Sequence, residues 1–295
     1  MRIQKNHDGL ELVVFQSAQN LPSYWNKELP ENHFLQSEQL AITEAAKLPN
    51  LSFYYVVVFK NKQIQSKHYF QLLRLNKQHL INKEDGAIKK LLCNLLLWTT
   101  KPSLLVSGHL FRHDICTFIK SDTISDFEAF QAYQLALQEI QKISGACAAL
   151  IKDAPFYLSP YFQNYSKGCL QLKNDVSMEM ILNKNWNSIQ DYEKALKHKY
   201  AQRYRKIKKQ EQLLIKKTLS VEDLEKYQDQ LYNLYQQVSN KQAIRLGILS
   251  PEFIKLQHAS KTEQLLVRGW FLNDTLVAFS SAFNFEHTWD MFYIG

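Results

Sequence analysis

Phe53-Tyr54-Tyr55-Val56-Val57-Val58-Phe59 is the stretch on which the fold turns. It is aromatic and β-branched throughout, carries no charge, and lies between Pro49 and the polar triplet Lys60-Asn61-Lys62. Such a run predicts a strand buried on both faces. Beyond the triplet, Tyr69, Phe70, Leu72, Leu73 and Leu75 predict a second strand, so the pair reads as a hairpin. Upstream, Leu10–Phe15 predicts a strand, and residues 32–48 a helix that stops near Pro49. Downstream come a helix-length apolar segment from Asp85 to Thr99, a strand at Leu104–Ser107, and an amphipathic helix over Ile124–Ile143. That helix opens at Ser125-Asp126 and closes near Gly145; a short strand follows at Ala146–Ile151.

The order then partly repeats. Helices are predicted at 221–238, with Ser220 as N-cap, and from Ser250-Pro251-Glu252-Phe253. A strand at 265–272, a turn at Asn273-Asp274, a strand at Leu276–Phe285 and a last run at Thr288–Ile294 complete the chain. Helices followed by a strand hairpin and a further strand, twice over, predict an α/β (α+β) protein of two units, residues 1–170 and 171–295. Each would be a mixed, largely antiparallel sheet flanked by helices.

A chain of 295 residues with 45% apolar and 13% aromatic side chains has ample material for packed cores. No apolar run approaches the roughly 20 residues of a membrane span, and the N-terminus lacks a signal-peptide pattern. Cys93, Cys116, Cys147 and Cys169 are scattered without metal-ligand spacing, which fits reduced thiols in the cytoplasm. The eight glycines (9, 86, 108, 145, 168, 247, 269, 295) never cluster, so neither a Walker loop nor a dinucleotide fingerprint exists. The nucleophile elbow G-x-S-x-G and the zinc motif H-E-x-x-H are absent too.

Charge is concentrated instead. Lys194, Lys197, Lys199, Arg203, Arg205, Lys206, Lys208, Lys209, Lys216 and Lys217 face one acid, Glu211, within residues 194–217, giving +9 in a chain whose total is +8. A focused strip of this kind attracts phosphates, nucleic acid or anionic lipid heads. Ser188 as N-cap, Asp191 at the third position, and a stripe of Tyr192, Leu196, Tyr200, Tyr204, Ile207 and Leu214 predict one long helix. Its apolar face would pack and its other face would carry the cations. A solvated face of a surface helix would look similar, but a helix built for stability alone would intersperse acids.

Several of these segments resemble a known family. They are Trp186-Asn187-Ser188 leading to Asp191-Tyr192 and Lys199-Tyr200-Ala201-Gln202-Arg203-Tyr204-Arg205-Lys206, then Gly247-Ile248-Leu249-Ser250-Pro251-Glu252-Phe253. Gly269-Trp270-Phe271-Leu272, Leu276-Val277-Ala278-Phe279 and Met291-Phe292-Tyr293-Ile294-Gly295 complete the set. Together they are similar to GNAT-fold acyltransferases of the Fem-type peptidoglycan-biosynthesis group, bacterial enzymes with tandem GNAT-like units. The likeness is good over residues 185–295 and loose before. It implies transfer of an acyl or aminoacyl group to an amine in cell-envelope chemistry. The donor would be acyl-CoA or aminoacyl-tRNA, no metal would be needed, and the acceptor would be an anionic small molecule or lipid-linked precursor. It also implies a cytoplasmic location, with the strip able to meet the inner membrane face. Since GNAT enzymes continue past a strand like 291–295, the second unit is expected to be incomplete.

Transfer of this kind needs a base or water chain and oriented donors. Asp290, His287 and Tyr293 on the last strand are candidates, with Asp290 and Tyr293 as the catalytic pair. His109, Arg112, His113 and Asp114 after Val106 are further polar candidates. A strand end and a polar loop account for the same residues without catalysis, and Trp270 and Trp289 read as core. For the substrate, Lys199, Arg203, Tyr204, Arg205 and Lys206 form the candidate set, the arginines being suited to bidentate phosphate contact. A non-catalytic protein of the same fold, binding nucleic acid or a phospholipid-linked partner, is the other expectation.

Overall fold

The computed structural model describes residues 2–7, 9–30, 33–81, 85–112, 115–164, 170, 178–242, 244–260, 264–285 and 287–295. The first part runs β1 (Arg2–His7), β2 (Leu10–Phe15), α1 (Ser37–Ala45), β3 (Leu51–Lys60), β4 (Gln63–Arg74), α2 (Lys77–Leu80) and α3 (Ala87–Thr100). It continues through β5 (Ser103–Ser107), β6 (Phe118–Lys120), α4 (Asp126–Ser144), β7 (Ala148–Ile151) and α5 (Ser159–Asn164). The second part runs α6 (Ile189–Ala195), α7 (His198–Glu211), β8 (Ile215–Thr218), α8 (Val221–Lys226), α9 (Gln228–Ser239), α10 (Phe253–Ser260), β9 (Leu265–Leu272), β10 (Thr275–Phe285) and β11 (Thr288–Ile294). Helices and two sheets make this an α+β protein. One sheet has the order β1-β2-β3-β4-β5-β7, with β6 also on β4; the other has β11-β10-β9-β8. All pairings are antiparallel except β5–β7, which is parallel across α4.

The opening heptapeptide is apolar throughout because β3 feeds two cores. Alternate residues of a strand point to opposite faces. Phe53, Tyr55 and Val57 enter one core with Tyr69, Trp25 and Leu40, while Tyr54, Val56 and Val58 enter the other with Phe70 and Leu72. The second face is covered by α4 through Ala129, Phe130, Ala132, Tyr133, Ala136 and Ile140. Helix α4 starts on a capping box between Ser125 and Glu128 and stops at Gly145 in the left-handed region. Across the first face lies the second sheet with its helices: Leu224, Leu231, Phe253, Val267, Phe279 and Phe283 share a core with Val13 and Tyr55. The turns of the β3–β4 and β9–β10 hairpins have paired positive φ, at Asn61-Lys62 (51° and 63°) and Asn273-Asp274 (48° and 61°), the geometry that matches strand twist.

Three expectations need correction. The basic strip is not one helix. Leu196 and Lys197 adopt extended backbone and end α6, so that α6 folds back on α7. Lys216 and Lys217 lie instead in β8, paired with Trp270 and Gly269; pairing with the sheet outweighs helix propensity there. The helix predicted over 221–238 is likewise split at Tyr227, between α8 and α9. And Trp289 is 57% exposed rather than core. Strands β1 and β6 were not anticipated, being polar or too short to show an apolar period.

Candidate functional site

The loop that leaves β5 is Ser107-Gly108-His109-Leu110-Phe111-Arg112, and most of it is buried. The last strand, β11, supplies Asp290 and Tyr293 from the second part of the chain. The two meet at the seam between the sheets. Arg112, 6% exposed, donates from Nη2 to Asp290 Oδ2 at 2.5 Å. Its guanidinium carbon lies 4.1 Å from the Phe34 ring centroid, 4.5 Å from Phe283 and 5.5 Å from Phe292. The cation is therefore held by aromatic faces and one carboxylate. Nε and Nη1 are buried without a hydrogen-bond partner. Burial draws the Arg112 pKa down, and Asp290 opposes that shift; an arginine stays charged regardless.

The sequence expectation thus put Asp290 and Arg112 in separate lists, whereas the fold joins them. Tyr293 packs edge-on to Tyr235 and Phe253 and at 4.5 Å from Phe292. Burial, and next the neighbouring Tyr235, push its phenol far above the ordinary range, with Arg112 pulling the other way. A phenol so placed resists ionisation. His287 is exposed. His109 is buried, its Nδ1 accepting from the Phe111 N–H at 3.2 Å, so it is a packed histidine rather than a polar-loop one. His113 and Asp114 lie outside the described residues.

His109 and His68 carry a pH signature. Burial lowers both to about 3, with Arg112 and Lys152 adding to the effect at His109. His68 sits 4.8 Å from Phe118, with Ser66 Oγ 2.8 Å from its Nε2. The unfolded chain binds protons on both near pH 6.5 and the folded chain does not, so stability is present above that pH and is lost as pH falls toward 3. The pair predicts a loss of about 2.5 kcal/mol between pH 7 and 5.5. Urea midpoints across that range check it; His68→Phe should remove about half the slope.

The proposed substrate cations stand elsewhere, on the α6–α7 pair. Lys199, Arg203 and Lys206 are exposed and recur at helical spacing on one face of α7. Arg205 bonds Glu193 of α6 at 2.6 Å. Tyr204 turns inward, its ring 6.1 Å from Tyr192, which in turn meets Trp186 at 5.5 Å. So Arg205 and Tyr204 clamp the helix pair, while Lys199, Arg203 and Lys206 face outward. The pair is tied to the second sheet by Trp270 Nε1, which donates to Glu211 Oε1 at 3.0 Å. Neither the Glu193–Arg205 clamp nor the aromatic ladder shows in a single-helix reading, since both need the break at Leu196.

A small recess lies where the β5 and β7 ends meet α4, lined by Ser107, Cys116, Tyr133, Ile151, Lys152 and Asp153. Lys152 Nζ donates to the Arg112 carbonyl at 2.9 Å and pairs with Asp153. Cys116 Sγ donates to the Phe118 carbonyl at 3.0 Å, and burial pushes its thiol up, so it is no activated nucleophile. No group of His, Cys, Asp and Glu able to hold a metal occurs among the described residues. No family model, curated protein or solved structure matches this chain.

Proposed function

We propose that the chain is an acyl- or aminoacyltransferase of two GNAT-like units, cytoplasmic, acting on an amine in envelope chemistry, with a polyanionic substrate held on α7. The element order supports this most directly. In the second part, β8, three helices and the antiparallel strands β9, β10 and β11 follow in the order of the first half of a GNAT unit. In the first part the parallel β5–β7 pair spans α4 as a GNAT crossover does.

The donor can be narrowed. A coenzyme A pyrophosphate needs open backbone N–H groups beyond the strand that precedes the crossover. The described start of that loop is closely packed here: Gly108 has φ of 154°, and a Cβ on it would lie 2.7 Å from Lys152 Cβ. A closely packed start to this loop in the first unit supports aminoacyl-tRNA or a lipid-linked pyrophosphate, meeting Lys199, Arg203 and Lys206, over acyl-CoA. A second reading, a non-catalytic protein of this fold binding an anionic partner, is favoured by the seam. There Arg112 and Asp290 serve each other, and Tyr293 is packed against other rings.

The test is thermal-shift titration with acetyl-CoA, a transfer-RNA pool and a pyrophosphate-bearing cell-wall precursor at two salt concentrations. Binding of the polyanions, with a log–log salt slope of about 2 to 3 for three cations, is expected. Charge reversal of Arg203 and Lys206 to Glu should abolish that binding and leave the urea midpoint nearly unchanged, both side chains being exposed and outside the Glu193–Arg205 clamp. Undiminished binding by this variant would remove the role given to α7. Binding without transfer to any amine acceptor would select the non-catalytic reading.

A further inference from the structure

His79 and Arg245 bury two hydrogen-bond donors that have no acceptor. His79, on α2, is fully buried. The Asn76 N–H donates to its Nδ1 at 3.0 Å, which closes a capping box and leaves the proton of the neutral ring on Nε2. That Nε2 is buried without a partner. Arg245, 8% exposed, comes from the segment between α9 and α10 and crosses to the first part of the chain. Its backbone N–H donates to the His79 carbonyl at 3.1 Å and its Nη2 to the Ile81 carbonyl at 2.9 Å, while Nη1 donates to Asn240 Oδ1. Its Nε is buried without a partner. Each of these partners is neutral, and among the described residues no carboxylate pairs with Arg245. The two groups feel each other: burial lowers the His79 pKa and the charge of Arg245 adds to the shift, against the Asn76 bond.

We infer that His79 Nε2 and Arg245 Nε hold a small monoatomic anion of the chloride type where α2 meets the segment between α9 and α10. A buried cation is costly unless a charge of opposite sign stands near it, and two buried donors call for an acceptor. A water molecule answers only part of this. It can accept from both donors, but its own hydrogens then need acceptors. Those around Arg245, the His79 and Ile81 carbonyls and Asn240 Oδ1, already receive hydrogen bonds from it. Water also leaves the guanidinium charge without a counterpart. An anion accepts from both groups, brings no hydrogen, and neutralises the charge. Its size is limited, because both donor atoms are shut off from solvent; a phosphate or a carboxylate-bearing molecule could enter only by opening the junction. Only the folded chain brings the two donors together, so the ion binds the folded state and stabilises it.

The test is thermal unfolding of the full chain at constant ionic strength, with sodium gluconate replaced stepwise by sodium chloride or bromide. Gluconate is too large for an enclosed site. A rise in melting temperature of about 3 °C that saturates with halide concentration is expected. A non-specific salt effect would grow linearly instead. Arg245→Met should abolish the saturable rise, whereas Arg203→Glu/Lys206→Glu on α7 should keep it. If Arg245→Met folds poorly, crystals of the unaltered chain grown in bromide decide the matter: an anomalous-scattering peak is expected between His79 Nε2 and Arg245 Nε. No saturable difference between halide and gluconate would overturn the assignment. So would a rise that survives Arg245→Met, or density at that place with no anomalous signal, which would be water.

Discussion

Asp290→Ala is expected to lower the unfolding free energy by about 3 kcal/mol, although Asp290 itself is 46% exposed. The cost falls on its partner. Arg112 is buried among Phe34, Phe283 and Phe292, and two of its nitrogens already lack acceptors. Removing the carboxylate leaves a desolvated charge with nothing opposite. The double variant Arg112→Met/Asp290→Ala replaces that charge with a flexible apolar chain that three rings can pack against. It should therefore be more stable than Asp290→Ala alone, with a coupling of about 2 kcal/mol in a urea-unfolding cycle. Additive effects would mean that the pair is incidental. If Asp290 were instead a general base, Asp290→Asn would abolish transfer while sparing stability; the geometry predicts loss of both.

Phe253→Ala should cost about 4 kcal/mol and act on the whole molecule. Phe253 is 2% exposed at the start of α10 and touches rings from both sheets' elements, Phe111 at 5.4 Å and Phe292 at 6.1 Å. A single unfolding transition that shifts as one is the expected record by far-ultraviolet circular dichroism and tryptophan emission. Two transitions, of which one moves, would show that the sheets fold independently.

Much of the fold could be read because its strongest signals are local. The run at 53–59 and its turn, the capping box at Ser125, and the turn at Asn273-Asp274 each state their conformation within a few residues. What escaped depended on distant partners. Lys216 and Lys217 look helical until Trp270 and Gly269 are beside them. The break at Leu196 makes sense only once Glu193 can reach Arg205 and Tyr192 can reach Tyr204. At the candidate site, Asp290 and Arg112 were each suspected, but nothing local says that residues 178 positions apart neutralise each other. Helix α3 was legible as a helix, while the outward direction of its apolar face was not. Periodicity gives the width of a stripe, never what lies across from it.

The shared aromatic seam has a consequence for cutting the chain. Residues 178–182, Met-Glu-Met-Ile-Leu, are exposed and outside any helix or strand, so a protease could cleave there. The two pieces would not part. Each carries half of one interlocked set of rings, Trp25, Phe34 and Phe111 on one side and Phe253, Phe283 and Phe292 on the other. Co-expressed as separate polypeptides, they should find each other and copurify as a split protein. Made singly, each should aggregate for want of its counterpart.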